Sequence, residues 1–186
     1  NAQKAVESFI NDFRKDMKCK SDNVLIIAGD ISHDNNLSKE MLLQLSNIWK
    51  YVLVIPGNHD WYIQDKYNDD RYSDLIKSLE EIDNIKFLMD KIEIFEYKGV
   101  KIAGTIMFYN LKELKDYVMW KSILNDRRYL TREFIQSRND RDIEYYNKVI
   151  DDVDIFVSHV PIVNLDGKST TENLFLNMDV TPKPDV

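Results

Sequence analysis

The sequence predicts an α/β domain in which two β-sheets pack face to face with helices on the outside. Three observations point there. Apolar runs at residues 24–28, 51–55 and 154–158 each end on polar residues and read as buried strands. Segments of helical period lie before and between them. KIEIFEY and VKIAGTI, joined by Lys98-Gly99, alternate as a half-buried antiparallel hairpin should. One strand set is therefore mainly parallel and the other contains a hairpin.

In chain order, Ala5, Val6, Phe9, Ile10, Phe13 and Met17 recur at spacings of three and four, predicting an amphipathic helix over residues 2–18. The strand at 24–28 runs into Gly29 and delivers Asp30. A polar loop, ISHDNN, leads to LSKEMLLQLSNIWK, where Leu42, Leu45, Ile48 and Trp49 mark a second helix. The strand at 51–55 stops at Pro56-Gly57 and presents Asn58, His59 and Asp60. Short connections favour a right-handed crossover between parallel strands, and open α/β sheets put their chemistry beyond the carboxyl ends of such strands.

Residues 61–70 are aromatic and acidic without periodicity and are expected to form a loop over the site. Tyr72, Leu75, Ile76 and Leu79 predict a helix, followed by strands at 85–89, 91–97 and 100–106. Residues 108–130 are irregular and suit short helices. A long polar helix over 131–150, burying Phe134, Ile143, Tyr146 and Val149, leads to the strand at 154–158 and then His159. The last stretch, from Asn164, reads mostly as loop.

A length of 186 residues with 44% hydrophobic composition suits a single domain with one sizeable core. The net charge of −7 disfavours non-specific attraction to nucleic acid or anionic lipid. Cys19 is single and cannot form an internal disulfide, which fits a reducing compartment. No apolar run approaches the ~18 to 20 residues of a membrane span. The expectation is a soluble, cytoplasmic protein.

GD at 29 and 30, GNHD at 57 to 60, and the strand-end His159 followed by Pro161 resemble motifs of the calcineurin-like metallophosphoesterases, in order and rough spacing. Two further family motifs, D-x-H on the first strand and G-H-x-H near the end, are not among these residues. The chain opens without Met inside a helical pattern, and a phrase like KPDV commonly precedes the G-H-x-H strand in that family. The 186 residues are therefore expected to be one calcineurin-like phosphoesterase domain, truncated at both ends. The resemblance implies a four-layer αββα sandwich of two mixed β-sheets flanked by helices.

Carboxylate oxygen, amide oxygen and imidazole nitrogen form a donor set suited to borderline divalent metals. Asp30, with two oxygens, can bridge two ions, the role the resemblance also assigns it. Asn58, through its side-chain carbonyl, and His159 would complete most of one ion's protein shell; in the family the remaining ligands come from D-x-H and G-H-x-H. The implied cofactor is two divalent metal ions, Mn foremost, with Fe, Zn or Ni as alternatives. Ions about 3.5 to 4 Å apart acidify a bridging water, which attacks phosphorus. By resemblance, His59 faces the phosphate and protonates the leaving oxygen, and Asp60 would hydrogen-bond the His59 ring.

His33, three residues past Asp30, is a candidate for touching substrate or the ligand shell. Arg127 and Arg128, in LNDRRY, resemble a cleft-bordering segment of some family members and are candidates for clamping phosphate, with a solvated charged turn as the alternative. Trp61, Tyr62 and Trp120 either line a pocket or cover the core. GDISHDN departs from the GD-x-V-D-R-G of the Ser/Thr phosphoprotein phosphatases, and His59 stands where lipid-A precursor hydrolases carry Arg. The expected function is a metal-dependent phosphoester hydrolase, specifically a phosphodiesterase acting on a small substrate, with nucleic acid disfavoured. The alternatives are a phosphomonoesterase or nuclease of the family, or an inactive, metal-poor binding module.

Overall fold

The computed structural model describes residues 21–63, 66, 67 and 70–161, with positions 4, 7, 8 and 10–12 of the N-terminal segment. Those last positions are helical and Ile10 is fully buried, as the spacing of three and four requires. The rest of the expected first helix, Cys19 and the stretch from residue 162 onward lie outside the described residues.

Strand β1 (Ser21–Ala28), helix α1 (Asn35–Ser46) and strand β2 (Trp49–Ile55) form the expected crossover unit. Asp34 caps α1, accepting from the Asn36 N–H. The helix stops earlier than its apolar spacing predicts. Asn47 turns its N–H back onto the Gln44 and Leu45 carbonyls, and the Asn84 amide donates to the Ser46 carbonyl at 2.7 Å. Trp49, expected on the helix, instead opens β2 opposite Ser21.

Beyond β2, residues Asn58–Trp61 make a 3₁₀ turn. The expected loop at 61–70 contains a short antiparallel ribbon, β3 (Tyr62–Ile63) with β4 (Lys66–Tyr67), before helix α2 (Asp70–Leu79). Strand β5 (Ile85–Phe87) joins β2 in parallel, giving the order β1-β2-β5. The strand expected at 91–97 is shorter: Lys91 and Ile92 both donate to the Phe87 carbonyl in a tight turn, leaving β6 (Phe95–Tyr97). β6 pairs antiparallel with β7 (Val100–Thr105). Lys98 and Gly99 take φ values of 53° and 80°, the left-handed pair that a two-residue hairpin demands.

Helices α3 (Leu114–Ile123) and α4 (Arg132–Val149) follow, separated by a 3₁₀ turn at Asn125–Arg128. Thr131 caps α4 through the Phe134 N–H. Strand β8 (Ile155–Ser158) then pairs in parallel with β7, so the second sheet runs β6-β7-β8 and is mixed.

Alternation along β2 shows the layering. Val52 and Val54 pack with Leu42, Leu45, Leu75 and Leu79 of α1 and α2, while Leu53 and Ile55 meet Phe95, Ile102 and Val157 of the second sheet. Ala103 of β7 faces Tyr145 and Val149 of α4. Helices, sheet, sheet and helix stack in that order. Gly104 makes room for the facing sheet, since a Cβ there would lie 3.1 Å from Ile55 Cγ2 of β2 and, within its own sheet, 2.6 Å from the Val157 carbonyl. Asp142, fully buried on α4, accepts from Thr105 Oγ1 at 2.7 Å and the Phe108 N–H at 3.2 Å, fastening the chain as it leaves β7. Burial pushes its carboxyl up to about 6 against those two bonds.

Candidate metal and catalytic site

Three strand ends meet at one edge of the sandwich: β1 through Gly29-Asp30, β2 through Gly57-Asn58, and β8 through His159. The first two touch backbone to backbone. A Cβ on Gly29 would lie 2.4 Å from the Gly57 nitrogen, and one on Gly57 would lie 2.2 Å from Asp30 Oδ1. Only glycine permits that approach. Asp30 itself has φ 59°, an uncommon conformation for a residue with a side chain. Asp60 holds it there: Oδ2 accepts from the Gly57 N–H at 2.8 Å and the Asp30 N–H at 3.1 Å.

Asp60 therefore clasps the two loops instead of orienting the His59 ring, as the sequence reading expected. The 3₁₀ turn explains the difference, because residues 59 and 60 point about a third of a turn apart and Asp60 faces inward. It is 2% exposed, and burial pushes its carboxyl up to about 6.

Asp30, Asn58 and His159 converge. His159 Nδ1 donates to the Ala28 carbonyl at 2.7 Å, which in the neutral imidazole leaves Nε2 with a lone pair. That Nε2 lies 2.9 Å from Asn58 Oδ1 and 3.5 Å from Asp30 Oδ2. In this tautomer three acceptor atoms share one small space without a proton between them, an arrangement that a cation relieves. The donor set thus fits one divalent ion. Among the described residues, no group of three or more His, Cys, Asp or Glu side chains is placed to hold a metal. The convergence consists of two such residues and an amide.

His59 lies on the open side, its Nε2 4.0 Å from Asp30 Oδ2 and its backbone N–H donating to Asp30 Oδ1 at 3.0 Å. Its Nδ1 meets His33 Nε2. His33 is thereby brought to the cluster, where desolvation first and the neighbouring His59 second push its imidazole pKa down. His59 also lies over Tyr62, with ring centroids 4.6 Å apart, and Tyr62 stacks on Tyr129 at 4.3 Å.

Two contributors went unseen in the sequence. Buried Arg71, at the start of α2, donates to the His59 carbonyl at 2.7 Å and to the Ser32 carbonyl, tying together the loops that carry His33 and His59. Asp126, buried in the LNDRRY turn, accepts through Oδ1 from Asn58 Nδ2 at 2.8 Å and from the Tyr62 hydroxyl. In sequence both look like surface charges. Arg127 and Arg128 beside Asp126 are exposed, and Arg127 bonds the Ser122 and Leu124 carbonyls at 3.2 Å rather than the cluster. Trp61 and Trp120 are core residues; Tyr62 is buried too, yet reaches Asn58 with its hydroxyl.

The family model for calcineurin-like phosphoesterases matches residues 3–186. The chain belongs to that family. Calcineurin-like phosphoesterases carry out metal-dependent hydrolysis of phosphoesters, which is the chemistry the converging donors suit. This calcineurin-like chain is 28% identical over 188 residues to the uncharacterized protein L509 of Acanthamoeba polyphaga mimivirus, a match covering 89% of this chain and 65% of L509. It is 26% identical over 95 residues to the uncharacterized protein R555 of the same virus, covering 47% of this chain and 7% of R555. The fold resembles the crystal structure of phosphopantetheinyl hydrolase (PptH) from Mycobacterium tuberculosis, with a TM-score of 0.56 and 16% identity. That match covers 75% of this chain and 58% of PptH, so the chain spans less than two thirds of the relatives it matches.

Proposed function

We propose that the protein is a metal-dependent phosphodiesterase of a small phosphoester, working with two divalent ions, Mn foremost. The observation that carries this is the convergence of His159 Nε2 and Asn58 Oδ1 at 2.9 Å beside Asp30. Asp30, Asn58 and His159 would hold one ion; the second Asp30 oxygen accepts the His59 backbone N–H and keeps one further lone pair that could face another ion. Such ions acidify water and neutralise charge on the phosphate oxygens.

The chain's own groups supply the rest. His59, anchored through Nδ1 by His33, holds its Nε2 beside the metal position, where it donates a proton to the departing oxygen. Protonation of the departing oxygen matters most for a poor alkoxide leaving group. Asp60 and Arg71 keep the two loops in register. The acidic net charge of −7 supports a small substrate over nucleic acid. The single cysteine supports a cytoplasmic setting. Among the described residues no helix is long and apolar enough to cross a membrane.

Hydrolysis of bis(4-nitrophenyl) phosphate and of 4-nitrophenyl phosphate, compared under equal Mn loading, tests the substrate class. A higher kcat/KM for the diester is expected. Preference for the monoester would replace the reading with a phosphomonoesterase.

A further inference from the structure

We propose that Asp126 is a positioning residue for the metal site, fixing with Tyr62 the side-chain amide of Asn58 so that its oxygen faces Asp30 and His159; the inference rests on the metal reading above. A primary amide fits its space almost equally well when turned end for end, and only one of the two orientations offers an oxygen to a cation. Something must select it.

The selection lies on the far side of Asn58. Its Nδ2 donates to Asp126 Oδ1 at 2.8 Å and to the Tyr62 hydroxyl oxygen at 2.9 Å. The Tyr62 hydroxyl in turn donates to the same Asp126 Oδ1. Asp126 Oδ1 acts as an acceptor towards the Tyr62 hydroxyl, so the atom of Asn58 that bonds it is the donor, nitrogen. Both hydrogens of that amino group are then committed, and Oδ1 is left pointing to His159 Nε2 at 2.9 Å. Turning the amide over would forfeit both bonds and set an oxygen against a carboxylate.

Asp126 is built for this position. It is 6% exposed, and its second oxygen, Oδ2, is buried with no hydrogen-bond partner among the described residues. A carboxyl group kept inside at that cost, with its bonds concentrated on Oδ1, is not explained by solubility or a surface turn. The turn is itself fixed, since the Tyr129 and Leu130 N–H groups donate to the Asp126 carbonyl at 2.8 and 2.7 Å. Tyr62 is held against Tyr129 by ring stacking at 4.3 Å. Tyr129, three residues past Asp126, thus braces the tyrosine that shares its hydrogen bond.

The test is Mn(II) affinity of the full chain, read from the free-ion paramagnetic resonance signal, with the thermal midpoint of the metal-free chain measured in parallel. Asp126→Ala should weaken Mn(II) binding roughly 10- to 100-fold, the usual cost of losing a partner that orients a ligand. Asp126→Asn, which keeps a carbonyl acceptor at that place, should restore binding close to the wild type. If Asp126→Ala does not fold, Tyr62→Phe decides: weaker binding at an unchanged midpoint supports the proposal, and unchanged binding overturns it. Equal weakening in Asp126→Ala and Asp126→Asn would also overturn it. Wild-type affinity in Asp126→Ala alongside lost affinity in Asn58→Ala would overturn the positioning role and leave the metal reading standing. Wild-type affinity in Asn58→Ala would bring down the metal reading and this inference together.

Discussion

His33 Nε2 is bonded to His59 Nδ1, and the two imidazoles lie 4.7 Å apart between centroids. The residue that orients His59 therefore comes from the loop after β1, not from the neighbouring Asp60. The two histidines are separated by 26 positions, and buried Arg71 ties their loops through the Ser32 and His59 carbonyls.

Replacing His59 by Ala should leave Mn(II) bound and lower kcat by about 10²- to 10⁴-fold, the range for loss of a general acid. His33→Ala should lower kcat by on the order of 10-fold with less change in KM, because it removes an orienting partner and not the donor itself. His33→Asn, able to bond the same ring nitrogen, should recover part of the loss. Steady-state kinetics on a diester with an alkyl leaving group check all three, because 4-nitrophenolate departs without protonation. A His59 variant with full activity would remove His59 from the mechanism.

Gly57→Ala should damage the site and the fold together. The new methyl would meet Asp30 Oδ1 at 2.2 Å and the Asp30 nitrogen at 2.5 Å, and neither can retreat while Asp60 holds that nitrogen. A loss of roughly 1–3 kcal/mol is expected from such overpacking, with weaker Mn(II) binding. Chemical denaturation with and without Mn(II) measures both effects.

Asp142 should give stability a definite pH slope. Its carboxyl, near 3.8 when unfolded, is pushed up to about 6 by burial in the fold. The folded state therefore favours the protonated form. The associated stability is fully present below about 3.8, and it is lost as pH rises through about 6. Asp142→Asn cannot ionise, so the wild-type thermal midpoint should fall relative to the variant's between pH 4 and pH 6, by the equivalent of roughly 2–3 kcal/mol. A constant difference across that range would show that the carboxyl keeps its ordinary acidity inside the fold.

The sheets and the strand-end residues were legible because they are local. Apolar runs, the Lys98-Gly99 turn and the glycines at 29 and 57 each announce their backbone in a few consecutive residues. Asp126 was not, since nothing within the charged LNDRRY stretch reveals that one carboxylate turns inward to meet Asn58 across 68 positions. Arg71 is hidden in the same way, near the start of a helix whose apolar face carries the only periodic signal. Helix α1 ended early for a comparable reason: part of its C-terminal capping comes from Asn84, 38 residues further on. Long-range polar partners leave no period in the sequence.

The most direct measurement is the hydrolysis of bis(4-nitrophenyl) phosphate by the chain before chelation, after exhaustive removal of metal, and after Mn(II) is returned. The account predicts turnover that disappears with the metal, returns with Mn(II), and fails to return in Asn58→Ala. Stoichiometric, Asn58-dependent Mn(II) binding with no hydrolysis would contradict it.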